Sequence, residues 1–414
     1  MTFRINERGV PIRSTIAVLV LVLFQLASVS VGTAPAQTPS TDTDETDQQD
    51  LFDVAAALFG RDRAGVEEDE KTNDDRRLFV FPSFGGNPAQ GVSGGALATL
   101  TDYWGDPNKT QLSSVLLSGS VTSKKQVLLV ARSDIYAPGN GWHFIGDWRY
   151  YDYVEQTHGL GGSRPALPTV EVTYDWYRFH QIVTRPIVND LEFGIGYHLD
   201  THRGIRFPTS VQLPDVGWLS GNFTDDTSSG VSLNLIYDRR DHPLNTERGL
   251  LARAEFTMYR TRIGSDADWD NLELEGRVYR RLSGRRRQVV ALWGIGSFTR
   301  GRAPYFDLPS IGWDLYGRTG RGYRSGRFRG RDWTYTEVEY RVDLLRNGLL
   351  GAVLFGHTSQ FSDPRNDRQE RWVSAVGVGL RLKINKETRS NLAVDFAWGR
   401  DGSKGVYVAI NEAF

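Results

Sequence analysis

The sequence predicts an all-β protein, a transmembrane antiparallel β-barrel of sixteen strands. Three observations lead there. From Leu78 onward apolar and polar residues alternate in long segments separated by turn residues. Aromatic residues make up 12% of the chain, yet mean hydropathy is only −0.40. That combination suits a barrel, in which only every second strand residue meets lipid. The last segment, Gly405 to Phe414, also alternates. Val406, Val408, Ile410 and Phe414 fall on one face; Tyr407, Ala409, Asn411 and Ala413 fall on the other.

The first segment, 1–36, reads as a signal peptide. Arg4, Arg8 and Arg13 precede an apolar run from Ile16 to Val31, and Ala34-Pro35-Ala36 follows. Cleavage is expected after Ala36. The rival is a retained anchor; the small-residue site and the polar stretch behind it favour removal. No later stretch approaches the roughly 18 uncharged apolar residues of a spanning helix. Residues 37–76 are acidic and polar, and are expected to form a mostly disordered periplasmic segment with a short helix near 50–60, over Leu51–Phe59. The spacing of Asp42, Asp44 and Glu45 fits no calcium loop.

The barrel is expected over 77–414. Its predicted strands run 77–86, 92–104, 111–122, 126–136, 142–154, 169–183, 191–204 and 229–240 in the first half. In the second they run 249–262, 271–282, 288–300, 332–344, 349–361, 371–384, 391–399 and 405–414. Three segments show the logic. Leu191, Phe193, Ile195, Tyr197 and Leu199 oppose Glu192, Gly194, Gly196 and His198. Val231, Leu233, Leu235 and Tyr237 oppose Ser232 and Asn234. Val338, Tyr340 and Val342 oppose Glu337, Glu339, Arg341 and Asp343. One face suits lipid and the other a polar lumen. Both ends of the barrel should lie in the periplasm, so the count must be even. The long gaps (155–168, 205–228, 301–331) all follow odd strands, and the short gaps after the eighth, tenth and twelfth follow even ones. Pro82 and Pro88 make the first strand the least regular.

Composition removes several functions. The chain has no cysteine, so disulfides and thiolate metal sites are out. A net charge of −1 implies no nucleic-acid partner. Gly91-Val92-Ser93-Gly94-Gly95 fits G-x-S-x-G, but that motif needs a strand, a sharp turn and a helix, and no helical pattern follows it. The 7 histidines show no metal-ligand spacing. Neither catalysis, a cofactor nor a metal is expected. The Arg285-Arg286-Arg287 run reads as a solvated turn.

Three local patterns resemble the β-barrel of the BamA/TamA superfamily, the bacterial surface antigens. The first is Tyr237 to Gly249, with Asp238, Arg240, Asp241, Pro243 and Gly249 in a strand–turn–strand signature. The second is Gly320-Arg321-Gly322-Tyr323, in the long connection after the eleventh strand. The third is Glu337-Val338-Glu339-Tyr340-Arg341 on the twelfth. The similarity covers roughly 230–414. It implies that the sixth extracellular loop folds into the lumen, with Arg321, Gly322 and Tyr323 at its tip and Arg321 near Glu337 or Glu339. Confinement supports this, since a lumenal Arg needs carboxylates, and Gly320 and Gly322 allow close backbone approach. Two features depart from the family. His357 stands where it has an Asp, which leaves Asp395 as the compensating acid. The stretch 37–76 has no room for a periplasmic POTRA domain.

The function implied by the resemblance is protein or lipid insertion or translocation at the outer membrane of a Gram-negative bacterium, with a separate partner in place of POTRA domains. The implied contacts are outer-membrane lipids and lipopolysaccharide, the barrel-assembly machinery during biogenesis, which reads Phe414 as its C-terminal signal, and a periplasmic or outer-membrane protein. Two alternatives stay open: a passive or gated pore for small solutes, for which sixteen strands are wide enough, and a surface-exposed structural or adhesive barrel.

Overall fold

The computed structural model describes residues 48–51, 53–54, 77–87, 91–161, 170–207, 224–284, 286–315, 317–362, 372–386 and 389–414. Its sixteen strands are β1 (Arg77–Asn87), β2 (Gly91–Asp102), β3 (Ser113–Thr122), β4 (Val127–Tyr136), β5 (His143–Thr157), β6 (Val170–Val188), β7 (Leu191–Arg206) and β8 (Asp226–Asp238), then β9 (Gly249–Tyr259), β10 (Trp269–Arg281), β11 (Gln288–Gly301), β12 (Asp332–Asp343), β13 (Leu350–Phe361), β14 (Val373–Asn385), β15 (Ser390–Gly399) and β16 (Lys404–Ile410). They form one sheet in sequence order, each antiparallel to the next. β1 and β16 lie side by side. Among the described residues no hydrogen-bonded ladder joins them.

Alternation decides which residues face out. Val92, Val121, Ile195, Leu354 and Val376 are each more than half exposed. An apolar side chain left bare on a sheet of this kind marks the lipid face. The opposite face is buried although it is polar: Ser232, Asn234, Glu337, Glu339 and Arg341 are all inside. Pro82 fits within β1, paired with Ala96. Ser93 sits inside β2, so the G-x-S-x-G match forms no strand–turn–helix elbow. Of the expected helix over Leu51–Phe59, the described residues Leu51, Asp53 and Val54 are helical, and the rest lies outside the described residues, as do 1–47. The turn is capped reciprocally: Asp53 N–H donates to Asp50 Oδ1 and Asp50 N–H to Asp53 Oδ2, both 3.0 Å.

The end of the chain corrects one expectation. β16 stops at Ile410, and Asn411 takes a positive φ of 68°. That left-handed residue breaks the alternation and swings the last residues off the strand. Phe414 therefore does not share the outer face of Val406 and Val408. It is buried inside, with its ring 5.0 Å from that of Trp293 and 6.1 Å from Tyr279.

In the Arg285-Arg286-Arg287 run, Arg286 is exposed as a solvated turn requires and Arg285 lies outside the described residues, but Arg287 differs from that expectation. Arg287 Nε lies 2.5 Å from Glu247 Oε1, and its Nη2 donates to Asn245 Oδ1 at 2.5 Å. The β8–β9 turn is folded over this side chain, which draws it out of solvent.

A lumenal ring of charge beneath the sixth loop

Sheet register brings the site's wall together. Trp293, Glu337, His357, Ala375 and Gly399 are successive cross-strand partners on β11 to β15. Asp395 sits opposite Gly379 on β14 and Tyr407 on β16. Loop six, residues 302–331, enters against this wall.

Arg321 is the centre. It pairs through Nη2 with both Glu337 and Glu339, and through Nη1 with Asp395 Oδ2 at 2.6 Å. Asp395 Oδ1 is held by Arg381 Nη1 at 2.6 Å. Arg381 Nε meets Glu412 Oε2 at 2.8 Å, and that same oxygen lies 3.9 Å from Arg341 Nε. Arg341 Nη2 returns to Glu339 Oε2 at 2.7 Å. The result is a closed ring in which three guanidiniums alternate with three carboxylates, with Glu337 as a branch that also accepts from Tyr335 Oη. Every member is at least nine-tenths buried. Such charges are tolerable only when each has partners, because removing one leaves the others desolvated and unpaired. The Arg321 guanidinium also lies 3.6 Å from the centre of the Phe355 ring, a cation–π contact in a dry setting.

The neighbours of Arg321 are tied down as well. His357 Nε2 donates to the Arg321 carbonyl at 2.8 Å, which is what the His in place of an Asp does here. Gly322 takes φ 105°, and a Cβ there would lie 3.0 Å from Ala375 Cβ, so only glycine lets the loop backbone touch β14. Gly322 N–H donates to Tyr407 Oη and Tyr407 Oη–H to the Tyr323 carbonyl, each at 2.8 Å. Tyr323 Oη–H donates to the Ser374 carbonyl at 2.6 Å. The tip thus reaches β12 through β16.

A second anchor lies across the lumen. Arg329, itself fully buried, gives Nη2 to Glu155 Oε1 on β5 at 2.8 Å, and Tyr174 Oη on β6 donates to Glu155 Oε2 at 2.6 Å. Arg149 on β5 donates to the Leu315 carbonyl at 2.7 Å. Loop six therefore spans the lumen between opposite walls. Sequence reasoning did not single out Arg329, Arg381, Tyr407 or Glu412, and it placed Arg341 in a motif without a partner. Arg341 and Tyr407 were visible on inward faces; nothing local distinguished Arg329 from the other arginines of the loop.

The β8–β9 turn is braced by its own residues as well as by Arg281, Arg287 and Arg389. Arg240 clasps Asp238 through Nη2 at 2.7 Å and reaches the Pro243 carbonyl through Nη1 at 3.2 Å. Asp241 Oδ1 accepts the Glu247 and Arg248 N–H groups at 2.9 and 3.1 Å. Gly249, at φ 107°, opens β9 where a Cβ would strike the Arg239 carbonyl. The turn and the loop-six tip are separate constellations.

Among the described residues, one group has the chemistry of a metal site. Ligand atoms of His202, Asp226 and Asp307 lie within 4.8 Å of one another. Here His202 Nδ1 bonds Asp226 Oδ1 at 2.8 Å and Ser228 Oγ donates to Asp307 Oδ2 at 2.5 Å, an arrangement that pins loop six to β7 and β8.

Comparison with known proteins fits this architecture. No profile of a protein family and no curated protein matches the chain. Solved structures do. BamA from Haemophilus ducreyi lacking POTRA domains 1–3 superposes with a TM-score of 0.53 at 15% identity, covering 82% of this chain and 71% of that one. CdiB from Acinetobacter baumannii gives 0.53 at 13%, and CdiB from Escherichia coli 0.54 at 12%; each covers 82% of this chain, which spans 60% and 63% of theirs. The chain has the barrel fold of BamA and CdiB.

Proposed function

We propose that this chain is an outer-membrane barrel of the BamA/TamA type, and that it inserts or moves protein or lipid at the outer membrane of a Gram-negative bacterium together with a separate protein partner. The observation that carries the reading is the seam. β1 and β16 are neighbours without a ladder among the described residues. Unpaired strand edges are templates for another strand, here at the boundary between lumen and lipid. The buried ring and Arg329 clamp loop six, so the barrel keeps its shape while the seam is free to exchange partners. β16 contributes only 7 residues to its own pairing, against 19 for β6.

The test is client folding. Liposomes carrying the barrel receive a urea-unfolded eight-stranded outer-membrane protein, and its folded fraction is followed by heat-modifiable gel mobility. The barrel should speed folding over empty liposomes. Because the chain has no cysteine, Val80→Cys on β1 and Val408→Cys on β16 can be joined by a bifunctional maleimide. Joining should abolish the gain. No acceleration, or acceleration indifferent to the crosslink, would sink the reading. A large steady conductance in planar bilayers, unchanged by Arg321→Ala, would instead favour a pore.

A further inference from the structure

The mouth on the short-turn side, periplasmic in the orientation above, encloses a cavity of about 640 Å³. Its lining is strongly one-sided: 8 Arg or Lys side chains against 4 Asp or Glu, an excess of four positive charges. The carboxylates are already committed. Glu247 is held by Arg281 and Arg287, Asp343 Oδ1 lies 3.6 Å from Arg287 Nη1, Glu412 is held by Arg381, and Asp241 Oδ1 by backbone N–H groups. Among the described residues, two guanidinium nitrogens of the lining, Arg341 Nη1 and Arg381 Nη2, are buried with no hydrogen-bond partner. Guanidinium cannot shed its proton to relieve that, so these donors favour oxygen acceptors. Charge-assisted, forked bonding to a carboxylate is what Arg does best.

A piece of this chain sits at the rim. Lys383 Nζ donates to Gln48 Oε1 at 2.8 Å, Lys386 Nζ to Asp53 Oδ2 at 3.0 Å, and the Lys386 N–H to Asp50 Oδ2 at 2.9 Å. Asn347 Nδ2 donates to Gln49 Oε1 at 2.8 Å. That piece belongs to an acidic run: from Asp42 to Asp53 there are six Asp or Glu and no Lys or Arg. We propose that this mouth is a binding site for a carboxylate-rich polypeptide segment, and that Gln48–Asp53 is its resident occupant, displaced when a partner's acidic segment docks. The site's chemistry stands whether or not the seam inserts clients.

The experiment uses the full chain in nanodiscs and a fluorescent peptide copying residues 40–54, read by anisotropy. Wild type should bind weakly, because the rim is held. The Gln48→Ala, Asp50→Ala, Asp53→Ala triple variant should bind roughly 10-fold tighter, since it frees charged donors for the peptide. The Arg248→Glu, Lys386→Glu double variant cancels the charge excess and should lose binding by more than about 10-fold, with wild-type affinity falling as salt rises. Gel mobility confirms that each variant folds. Peptide affinity unmoved by the charge reversals, or no binding even to the triple variant, overturns the site. Equal binding to wild type and the triple variant overturns the resident role. Displacement by millimolar inorganic phosphate or by anionic vesicles, with no peptide binding, would make it a phosphate or lipid site and overturn the polypeptide assignment.

Discussion

Strands β12 to β15 and strands β2 and β3 share one alternation, yet their lumen faces differ in kind. β12 to β15 present Glu337, Glu339, Arg341, His357, Arg381 and Asp395, all buried. β2 and β3 present Ser93, Gly95, Thr99, Ser114, Ser118 and Ser120, and no residue of β2 is buried. Long ionised side chains can bridge to a loop and lock it; short hydroxyls cannot span the distance. One flank of the seam is fastened by a network that costs several kcal/mol to break; on the other, β2 and β3 add no charged lumen side chain to their ladders, and the first to reach loop six is Arg132 on β4, which donates to the Leu315 carbonyl. Under the proposed function, opening along one line requires that asymmetry: if every wall were clamped, the seam could not yield.

The difference can be broken first at Arg321. Arg321→Ala leaves Glu337 and Glu339 side by side, fully buried and without their common cation. Removing one partner of a buried pair costs about 3–5 kcal/mol. The unfolding free energy from urea titration of refolded barrel should fall by that amount, and single-channel recordings should show openings that wild type lacks. A midpoint unchanged from wild type would mean the ring fastens nothing. The next largest effect is expected at Phe414. Phe414→Ala empties a pocket between Trp293 and Tyr279 and bares the Arg341 guanidinium, 5.1 Å from the lost ring. A buried Phe→Ala change costs about 3 kcal/mol, and Trp293 emission should shift to the red as water enters.

The strand architecture was legible in the sequence because period-two patterning survives the lumen's polarity: Val338 and Tyr340 alternate with Glu337 and Glu339 whatever the loop does. The acids that meet Arg321 share an inward face that alternation can identify, although only the motif resemblance singled out that Arg among its neighbours. The remainder depended on geometry that a one-dimensional pattern does not hold. Arg329 meets Glu155 across 174 residues of chain. Phe414 turns inward because of one φ angle at Asn411. The β8–β9 turn reaches the far rim, where Asn245 Nδ2 donates to the Arg389 carbonyl at 3.3 Å. In each case the deciding contact is between segments whose separation in sequence carries no signal.

Acid should sharpen the comparison more gently. Glu412 lies beyond the end of β16. Burial alone would raise its pKa, but the Arg381 and Arg341 guanidiniums outweigh it and hold the carboxyl down to about 2. A depressed carboxyl contributes stability that is fully present above its unfolded value, near 4.5, and that is lost as pH falls toward 2. Wild-type barrel should therefore lose urea resistance between pH 5 and pH 3 more steeply than Glu412→Gln. The variant should start about 2 kcal/mol lower at neutral pH, the usual cost of a lost charge-assisted bond. Parallel pH profiles would show that Glu412 is not a member of the ring in solution.

The smallest effect belongs to the seam side, and it is the one that decides whether the asymmetry is real. Ser118 on β3 pairs across the sheet with Leu97 and faces the lumen between Leu117 and Gly119. Ser118→Ala removes a hydroxyl of the same kind as its neighbours Ser114 and Ser120, from a strand that carries none of the ring's charges. Its unfolding free energy should move by no more than about 0.5 kcal/mol, the range of changes away from cores, caps and networks. If it moves as far as Glu412→Gln does, the seam side has a polar network of its own. The barrel would then be clamped on both flanks, and opening at β1 and β16 would have to break that network as well.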